Sequence, residues 1–392
     1  MPRRPIADLP AERPLADRFP DLRRHFIFEY YPWYRTNPYR HWNEADRQPP
    51  IDIASNYVPR LGAYDSRSAA VMEQHARWIA DAGAGAINVS WWGPGSDVDV
   101  IPTLMDVMRA HDIHVSFHIE PYADDRALHY ARDIQYLITE YGDRRHWDCF
   151  LLVRHADGKV GPIFKSFGTI LVPLFNDCHG NVVHVPNYAA DAVWAGQTAQ
   201  VRKLLAADFD RVTLLADSLD LPHVTAGGFD GIAIYDNNVR PDEWAPYAQG
   251  CTARNLVFSF NCNPGFDSVA LRHVDPGACY TPPRFQPGNA AYDWSRQAQR
   301  ETAAATSLAR IDESFRTTVA LQTARGSANV RRGFFLAYLN SFNEWHEGHQ
   351  FEPMKNASDL SADERAVGYH DPDDGAYRLN ALTKLLSGVL AR

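Results

Sequence analysis

The feature that most constrains the fold is a repeated alternation of short apolar runs with helical segments. Each apolar run ends in polar or aromatic residues and is followed by a loop. Such runs predict strands, and in chain order they cover residues 26–34, 86–91, 114–119, 162–167, 212–216, 230–235, 256–260 and 333–339. Strands that alternate with helices favour a parallel sheet with right-handed crossovers. We therefore expect an α/β protein, a single (β/α)8 TIM barrel with extended βα loops.

The helical segments fall mostly between these runs. Apolar residues at helical spacing predict helices over residues 66–82, 101–111, 124–141, 198–205, about 292–323 and 377–390. Residues 182–195 look irregular, and Asp157-Gly158 predicts a hairpin between residues 150–153 and 162–167. A doubly wound sheet is the alternative architecture. It usually carries a glycine-rich phosphate turn, and the absence of GxGxxG and GxxxxGK[ST] favours the barrel.

The domain organisation predicted from the sequence is simple. A chain of 392 residues can hold two domains, but barrels of this length are often a single domain. Residues 1–24 are rich in proline, arginine and aspartate, which predicts a partly disordered N-terminal arm. Residues 25–392 are then the barrel. The proline-rich stretch that runs to about Pro59 is long for a connection, and such stretches often form the lid or wall of a site.

Composition excludes several kinds of partner. The formal charge of −9 and the pI of about 6.0 argue against nucleic acid or an anionic membrane and favour a neutral ligand. No run of 18 apolar residues predicts a membrane span. The first residues, MPRRPIADLPAERP, lack the apolar core of a signal peptide, and five scattered cysteines without CxxC spacing indicate reduced thiols. We therefore expect a cytoplasmic protein, and nothing in the sequence indicates an oligomeric state.

Polar and aromatic side chains cluster where the predicted strands end. The carboxyl ends of barrel strands form one face, so we expect these side chains to converge there. The strand tips are Tyr34, Trp91-Trp92, His118 with Glu120, Asp236-Asn237, Asn263, and Glu344 with Glu347. Adjacent residues on a strand face opposite sides, so only one of Trp91 and Trp92 is expected to meet a ligand.

The last tip, residues 340–352 with the sequence NSFNEWHEGHQFE, carries the most reactive groups. Glu344 and Glu347 suit glycoside hydrolysis, in which one carboxyl group is a general acid with a raised pKa and the other is a base or nucleophile. Trp345 beside them suits stacking on a sugar ring. A charged surface loop is the alternative interpretation, because carboxylates and histidines are usually exposed.

Metal binding is a second alternative for this segment. It would use Glu344, His346, Glu347 and His349, but their spacing lacks the His-x-x-x-His pattern that places two ligands on one helix face. Asp97 and Asp99 form an Asp-x-Asp pair that suits an acidic loop or a metal. We expect neither a metal nor another cofactor.

Several segments together resemble the endo-α-mannosidases of glycoside hydrolase family 99. In family order over roughly residues 26–385 they are YYPWY (30–34), HW (41–42), PRLGAYDSR (59–67), VSWWGPGSD (89–97), VSFHIEPY (115–122), GFDGIAIY (228–235), NPGFDS (263–268) and SFNEWHEGHQFE (341–352). The resemblance implies a (β/α)8 barrel that needs no metal and cleaves internal α-mannosidic bonds with retention of configuration. It also implies a mannose-containing oligosaccharide or polysaccharide as partner.

The resemblance also implies roles for single residues. Glu344 would be the base that deprotonates the sugar's own 2-hydroxyl, which then attacks the anomeric carbon to give a 1,2-anhydro sugar. Glu347 would be the acid/base. Two side chains of one short segment do not easily bracket a ring from opposite sides, whereas Glu344 need only reach a hydroxyl. The residues expected to bind sugar are Tyr34, His41, Trp91, Trp92, His118, Glu120, Tyr122, Tyr235, Asn263, Phe266, Asn343 and His349.

An ordinary structural role is the alternative for each residue expected to bind sugar. For His118 that alternative is a hydrogen-bonded place in the barrel interior.

The sequence departs from the family pattern in three places. Phe266 stands where the family usually has tyrosine, His349 where it has threonine, and Phe167 in a segment that otherwise bears tyrosine. Fewer hydroxyls predict a drier pocket than one for Golgi glucosyl-mannose N-glycans or α-1,2-branched yeast mannan. The expected substrate is a cytosolic α-mannan, whose O-methyl groups would suit phenyl rings. The alternatives are a transglycosylase, an enzyme of polysaccharide synthesis, and a non-catalytic glycan-binding barrel.

Overall fold

Eight parallel strands form a closed barrel in the part of the chain that this computed structural model describes, residues 15–176, 179–185, 187–235, 239–266 and 295–391. They are β1 (Phe26–Tyr30), β2 (Ala86–Trp91), β3 (His114–Ile119), β4 (Val160–Ser166), β5 (Thr213–Ala216), β6 (Gly231–Ile234), β7 (Val257–Phe260) and β8 (Ala337–Leu339). The strands β1 to β7 pair in chain order, and β8 pairs with β1. A parallel bridge between Cys262 and Leu339 joins β7 to β8. The predicted barrel is confirmed.

The helices cover the outside of the barrel. Those that follow the eight strands are α1 (Ala69–Ala82), α2 (Ile101–Ala110), α3 (Arg126–Leu137), α4 (Asp191–Leu205), α5 (Leu221–Ala226), α6 (Trp244–Ala253), α7 (Gln297–Thr323) and α8 (Tyr377–Leu390). In α1, Met72, His75, Ala76 and Ile79 are buried at helical spacing. The helix ends at Gly83, whose φ of 94° suits the left-handed cap that favours glycine.

Shorter elements connect these parts. The helical ones are Leu15–Arg18, Leu22–His25, Ile138–His146, Trp147–Cys149, Pro241–Glu243, Ala328–Arg332, Ala357–Asp359 and Ala362–Val367. The extended ones are Arg35–Thr36 paired with Tyr39–Arg40, Leu152–Arg154 paired with β4, and Leu174–Asn176 paired with Val182–His184. The hairpin predicted at Asp157-Gly158 is confirmed, since Leu152–Arg154 runs antiparallel to β4.

Several predicted boundaries differ from the observed ones. The bounds of β2, β3 and α8 agree with the prediction, but β1 ends at Tyr30 and not at residue 34. Pro32 has no N–H to continue the ladder. The stretch 182–195, predicted to be irregular, contains the strand Val182–His184 and the start of α4 at Asp191. The helix α6 was missed because Pro246 and Gly250 are poor helix formers.

Residues 15–24, the second part of the segment predicted as a partly disordered arm, pack against the barrel; residues 1–14 lie outside the described residues. Leu15, Phe19 and Leu22 are buried. The backbone of Arg23 also pairs with the loop before β2, since the N–H of Gly85 donates to Arg23 O over 2.8 Å. Apolar burial and this hydrogen bond hold the segment in place.

Two apolar layers and an aromatic cap make up the core. Inside the barrel, side chains such as Ile27, Ile163 and Val257 pack together, and a larger layer lies between strands and helices. The cap covers the carboxyl ends of the strands, and its buried members are Tyr31, Trp33, Tyr34, Trp42, Ile53, Tyr57, Val58, Tyr64, Trp345, Met354, Leu360 and Tyr369. The long loop after β1 supplies most of this cap, so it forms a wall over the catalytic face.

Candidate active site

A cleft of about 180 Å³ opens at the carboxyl ends of the barrel strands. This is the face on which (β/α)8 enzymes carry out their chemistry. The side chains that line the cleft lie at the ends of β1, β2, β3, β4, β6 and β8, and they are Tyr31, Trp33, Trp92, His118, Glu120, Pro121, Phe167, Tyr235, Glu344, His346 and Glu347. Six strands therefore contribute to one site.

A larger cavity, of about 480 Å³, lies toward the amino ends of the strands, beside Arg24, Leu152 and Gly333. Among the described residues that line it, Asp21 is the only one with a carboxylate. Glycoside hydrolysis by acid–base chemistry needs two carboxyl groups. The smaller cleft holds three and is therefore the candidate active site.

Glu344 is held almost fully out of solvent by the turn that follows β8. The residue is 2% exposed, and its backbone N–H donates to Ser341 Oγ over 2.8 Å. Its Oε1 atom lies 3.1 Å from Nε2 of His346. Burial raises the pKa of Glu344 well above its usual range, and the negative charges of Glu347 and Glu120 raise it further. Both effects favour the protonated form of Glu344.

Glu347 has a more polar environment. The hydroxyl of Tyr235 donates to Glu347 Oε2 over 2.7 Å, and Nε2 of His349 lies 2.9 Å from the same oxygen. Burial alone would raise the pKa of Glu347, but the hydrogen bonds from His349 and Tyr235 outweigh it and lower this pKa below its usual value. These bonds favour the ionised form of Glu347. Such a separation of two carboxyl pKa values is typical of glycosidase acid–base pairs.

A buried ion pair lies inside the barrel beneath the cleft. Lys165 Nζ lies 2.5 Å from Glu29 Oε1, and both side chains are fully buried. Glu29 Oε2 lies 3.1 Å from Nδ1 of His118. Burial alone would raise the pKa of Glu29, but Lys165 and His118 lower it to about 2. The carboxylate therefore orients His118, whose Nε2 is buried and makes no hydrogen bond within the described chain.

Trp92 and Glu120 share one anchor on the wall of the cleft. Ser90 Oγ donates to Glu120 Oε1 over 2.7 Å and accepts from Trp92 Nε1 over 3.2 Å. Burial raises the pKa of Glu120. The Trp92 residue is 41% exposed, whereas Trp91 is fully buried with its ring centroid 5.8 Å from that of Tyr122. Only Trp92 therefore faces the cleft.

Tyr34 and His41 lie behind the cleft wall. Tyr34 is fully buried, and its hydroxyl lies 3.2 Å from Nδ1 of His346. The ring of His41 stacks on Trp33, with centroids 4.5 Å apart, and Nδ1 of His41 lies 2.5 Å from Glu44 Oε1. Both residues touch side chains that line the cleft, so they support the wall from outside.

Tyr122 and Asn263 also lie outside the cleft. The hydroxyl of Tyr122 donates to the carboxylate of Asp133. Asn263 is fully buried, and its Oδ1 accepts from the N–H of Gly265 and from Nε of Arg310, each over 3.1 Å. These contacts hold loops to helices. Asp236-Asn237, expected at another strand tip, lies outside the described residues.

His349, Phe266 and Asn343 stand one layer behind the cleft. His349 is fully buried and reaches the cleft through Glu347 and Tyr235, because its Nε2 lies 2.9 Å from Glu347 Oε2 and 2.9 Å from the Tyr235 hydroxyl. The ring of Phe266 lies 5.5 Å from that of His349 and covers it. Asn343 is fully buried and bonds to the backbone of Tyr31. All three place residues that line the cleft.

The expectation that Trp345 stacks on a sugar is wrong. The residue is fully buried in the aromatic cap, and its Nε1 donates to Glu352 Oε2 over 2.8 Å. Tyr64 donates to the same carboxylate oxygen over 2.8 Å. With Glu344, Trp345 and Glu352 all buried, the segment is not a charged surface loop either.

The side chains considered above as metal ligands form ion pairs in this structure. Asp97 lies 2.9 Å from Arg35, and Asp99 lies 3.8 Å from the same guanidinium. Within the last tip, His346 lies against Glu344 while His349 lies against Glu347. The four side chains of residues 344–349 therefore divide into two separate pairs.

Some residues that build the site had no role in the sequence-based hypothesis. Tyr31 and Trp33 line the cleft, but the predicted strand extended over them. Glu29 and Lys165 form the buried ion pair, and each is a charged residue within an apolar run, FIFEY and PIFKS. A charge in such a run is a signal that could have identified them, because charged residues are rarely fully buried unless paired.

A model of the family described as Glycosyl hydrolase family 99 matches residues 22–281. The chain belongs to this family. The resemblance seen in the sequence is therefore confirmed, and the protein is a glycoside hydrolase. The matched residues end before residues 340–352, so the roles of Glu344 and Glu347 depend on the motif and on the cleft.

Individual relatives extend the comparison over most of the chain. The glycoprotein endo-alpha-1,2-mannosidase-like protein of Danio rerio is 26% identical over 382 residues, which cover 88% of this chain and 74% of that protein. The glycoprotein endo-alpha-1,2-mannosidase of Mus musculus is 26% identical over 380 residues, covering 86% and 70%. The solved GH99 endo-alpha-mannosidase from Bacteroides thetaiotaomicron covers 93% of this chain and 98% of its own, with a TM-score of 0.63 at 21% identity, and shares the fold.

The described helices were also compared with the length of a bilayer span. None of them is long and apolar enough to cross a membrane.

Proposed function

We propose that this family 99 protein is an endo-acting, retaining α-mannosidase that hydrolyses internal bonds of a mannose polysaccharide. The observation that carries the proposal is the pair Glu344 and Glu347 in one cleft, with their pKa values moved in opposite directions. Two relatives named as endo-alpha-1,2-mannosidase or its like support the sugar and the internal cleavage.

The proposed reaction has two steps at the anomeric carbon. First, Glu344 takes the proton of the 2-hydroxyl, O2 bonds to C1, and the glycosidic bond breaks as Glu347 protonates the leaving oxygen. The product is a 1,2-anhydro sugar. Next, Glu347 takes a proton from water, the water oxygen bonds to C1, and Glu344 returns its proton to O2 as the strained ring opens. Two inversions at C1 give net retention.

The proton that the carboxyl pair shares is favoured on a different residue in the unliganded protein than at the start of the proposed reaction. The directions of the two pKa shifts favour protonated Glu344 and ionised Glu347, whereas the reaction starts from ionised Glu344 and protonated Glu347. Both arrangements carry one proton, so the exchange changes no net charge. A sugar hydroxyl that donates to Glu344 stabilises its carboxylate, and a glycosidic oxygen, which only accepts, stabilises protonated Glu347. We assign the exchange to substrate binding.

The cleft wall suits a sugar with apolar substituents. Trp92 offers an exposed ring face, and the Phe167 and Tyr235 rings lie edge-on with centroids 5.3 Å apart. Phe167 has no hydroxyl to satisfy, so a methyl group can be buried against it without loss of a hydrogen bond. We propose an O-methylated α-mannan of the cytoplasm as the substrate class, hydrolysed rather than transferred.

The proposal is tested on α-mannan oligosaccharides, plain and 3-O-methylated. These are incubated with wild type, Glu347→Gln or Glu344→Gln, and the products are followed by mass spectrometry. We expect wild type to cleave internal bonds, and to cleave the methylated oligosaccharides faster. We expect both variants to lose this cleavage activity. Longer products would instead indicate a transglycosylase. Binding without turnover in wild type would indicate a glycan-binding barrel, and faster cleavage of plain mannan would overturn the methylated substrate.

A further inference from the structure

A second cluster of polar side chains lies at the mouth of the cleft. One ligand atom each of His41, Glu44 and His346 lies within 4.8 Å of the other two. We propose that these three side chains bind a transition-metal ion of the zinc class and that the bound ion inhibits the enzyme. The inhibitory part rests on the role proposed for Glu344, whereas the binding part does not.

The ligand set fits such an ion. Two imidazoles and one carboxylate are a common donor set for protein-bound zinc, with further positions left open. In the protein without an ion, both imidazoles already face the same carboxylate: Nδ1 of His41 lies 2.5 Å from Glu44 Oε1, and Nε2 of His346 lies 3.5 Å from Glu44 Oε2. Zinc binds such ligands by displacing their protons.

The two imidazole rings are already oriented. They are nearly parallel, with an angle of 3° between their planes and 5.7 Å between centroids. Trp33 packs against both, with centroid distances of 4.5 Å to His41 and 5.5 Å to His346. The Tyr34 hydroxyl lies 3.2 Å from Nδ1 of His346, so its oxygen can accept a hydrogen bond from Nδ1–H when Nε2 binds the ion.

Glu344 supplies the observation that links this cluster to inhibition. Its Oε1 is buried and has no hydrogen bond of good geometry in the described chain, although it lies 3.1 Å from Nε2 of His346. An ion held by His346 is therefore within reach of this oxygen as a further ligand. The charge of the ion makes a metal-bound Glu344 a weaker base toward the proton of a sugar hydroxyl, and the ion narrows the cleft beside it.

The cluster also sets which ions it accepts and how they enter. Nitrogen donors favour zinc, cobalt or copper over magnesium and calcium, which prefer oxygen ligands. The side chain of Glu44 is 45% exposed, whereas those of His41 and His346 are 17% and 16% exposed. An ion can therefore arrive from solvent through Glu44 and then reach the two more covered imidazoles.

Binding is measured without reference to activity. The full chain is titrated with Co²⁺, whose visible absorption reports nitrogen ligation, and with Zn²⁺ by calorimetry. We expect one ion per chain, and at least about tenfold weaker binding in Glu44→Gln and in His41→Asn. Asparagine tolerates the positive φ of 63° at position 41.

The control variant is His223→Gln. His223 lies 2.8 Å from Asp191 in a similar imidazole–carboxylate pair outside the cleft, so its loss should leave the stoichiometry unchanged. Mg²⁺ and Ca²⁺ should not compete. Two results would show that the ion binds elsewhere and would overturn the proposal. One is weaker ion binding by the control variant, and the other is ion binding as in wild type by the two cluster variants.

Inhibition is then measured as the ratio of rates with and without Zn²⁺ for each variant. We expect Zn²⁺ to raise KM and lower turnover in wild type. For Glu44→Gln, we expect the same inhibition to require a Zn²⁺ concentration at least about tenfold higher. Binding without inhibition would overturn the inhibitory role and leave the site. A protein that binds Co²⁺ normally but cleaves no mannan would count against the proposed function alone.

Discussion

Asn343 and Tyr31 exchange two hydrogen bonds. The N–H of Tyr31 donates to Asn343 Oδ1 over 2.8 Å, and Asn343 Nδ2 donates to Tyr31 O over 2.9 Å. The two residues lie at the ends of β1 and β8, the first and last strands of the barrel. This exchange therefore fixes the cleft-lining Tyr31 and Trp33 relative to the turn that carries Glu344.

Replacing Asn343 by alanine tests that link. Both buried backbone groups of Tyr31 would lose their partner, which costs about 1–3 kcal/mol for each group. We expect Asn343→Ala to lower the free energy of unfolding by about 2–6 kcal/mol in urea denaturation. The control is Asn380→Ala, which removes an exposed bond to Asp374 and should change stability by less than about 0.5 kcal/mol. Equal losses of stability in Asn343→Ala and Asn380→Ala would show that the two hydrogen bonds to Tyr31 stabilise the fold no more than one exposed hydrogen bond does.

The adjacent tryptophans of β2 and its tip should respond to substitution in opposite ways. Trp91→Ala empties a fully buried site and should cost about 3–5 kcal/mol of stability. Trp92→Ala removes a 41% exposed ring, so we expect stability close to wild type but a KM for mannan oligosaccharides raised about tenfold, as one lost stacking contact predicts. Thermal unfolding and initial rates measure both. A raised KM with unchanged stability in Trp91→Ala would reverse the assignment of the two faces.

Removing only one partner of the Glu29–Lys165 ion pair should lower the free energy of unfolding much more than removing both partners. Lys165→Met leaves a buried carboxylate without its cation, and we expect a loss of about 3–5 kcal/mol. Glu29→Gln with Lys165→Met removes both charges and should recover most of that loss. Urea denaturation of the two single variants and the double variant forms a complete cycle. Additive losses would mean that the two charges do not interact.

Stability should fall in mild acid because buried histidines must take up protons on unfolding. Burial lowers the pKa of His155 to about 4, and the charges of Arg211 and Arg332 act in the same direction. The unfolded chain binds a proton near pH 6.5, so the stabilising contribution is complete above that pH and is lost as the pH falls toward 4.

Chemical denaturation between pH 7.5 and 4.5 tests this expectation. His155→Gln should reduce the slope of stability against pH by up to about 1.4 kcal/mol per pH unit. His129→Gln, at a side chain that is 34% exposed and pairs with Asp125, is the control and should keep the wild-type slope. The slopes are compared rather than the absolute values, because the substitution at position 155 also removes the bond of His155 to Thr213. An unchanged slope in His155→Gln would assign the acid sensitivity to other groups.

The sequence predicted the barrel and much of the candidate site from burial and chain order. Each apolar run must be covered on both faces, and helices between the runs make the strands parallel. All strand tips then meet on one face, which is why Trp92, His118, Glu120, Tyr235, Glu344 and Glu347 line one cleft. For these residues the type and the position in the chain were sufficient.

The tertiary structure decided which of the chemically suitable side chains face the cleft. In the sequence, Trp91 and Trp345 were candidates for stacking on a sugar ring just as Trp92 was, but packing buries both. The sequence could not distinguish them, because exposure depends on neighbours that arrive from other strands.

Contacts between distant residues were likewise decided only by the fold. His41 and Glu44 meet His346 across about 300 residues of chain, and Glu29 meets Lys165 across the barrel interior. The pKa directions of Glu344 and Glu347 follow from such contacts, since one carboxyl group lies among negative charges and the other accepts bonds from Tyr235 and His349. Local sequence determined which groups were available, and long-range packing determined their partners and their charge, because electrostatic effects depend on distance in space and not along the chain.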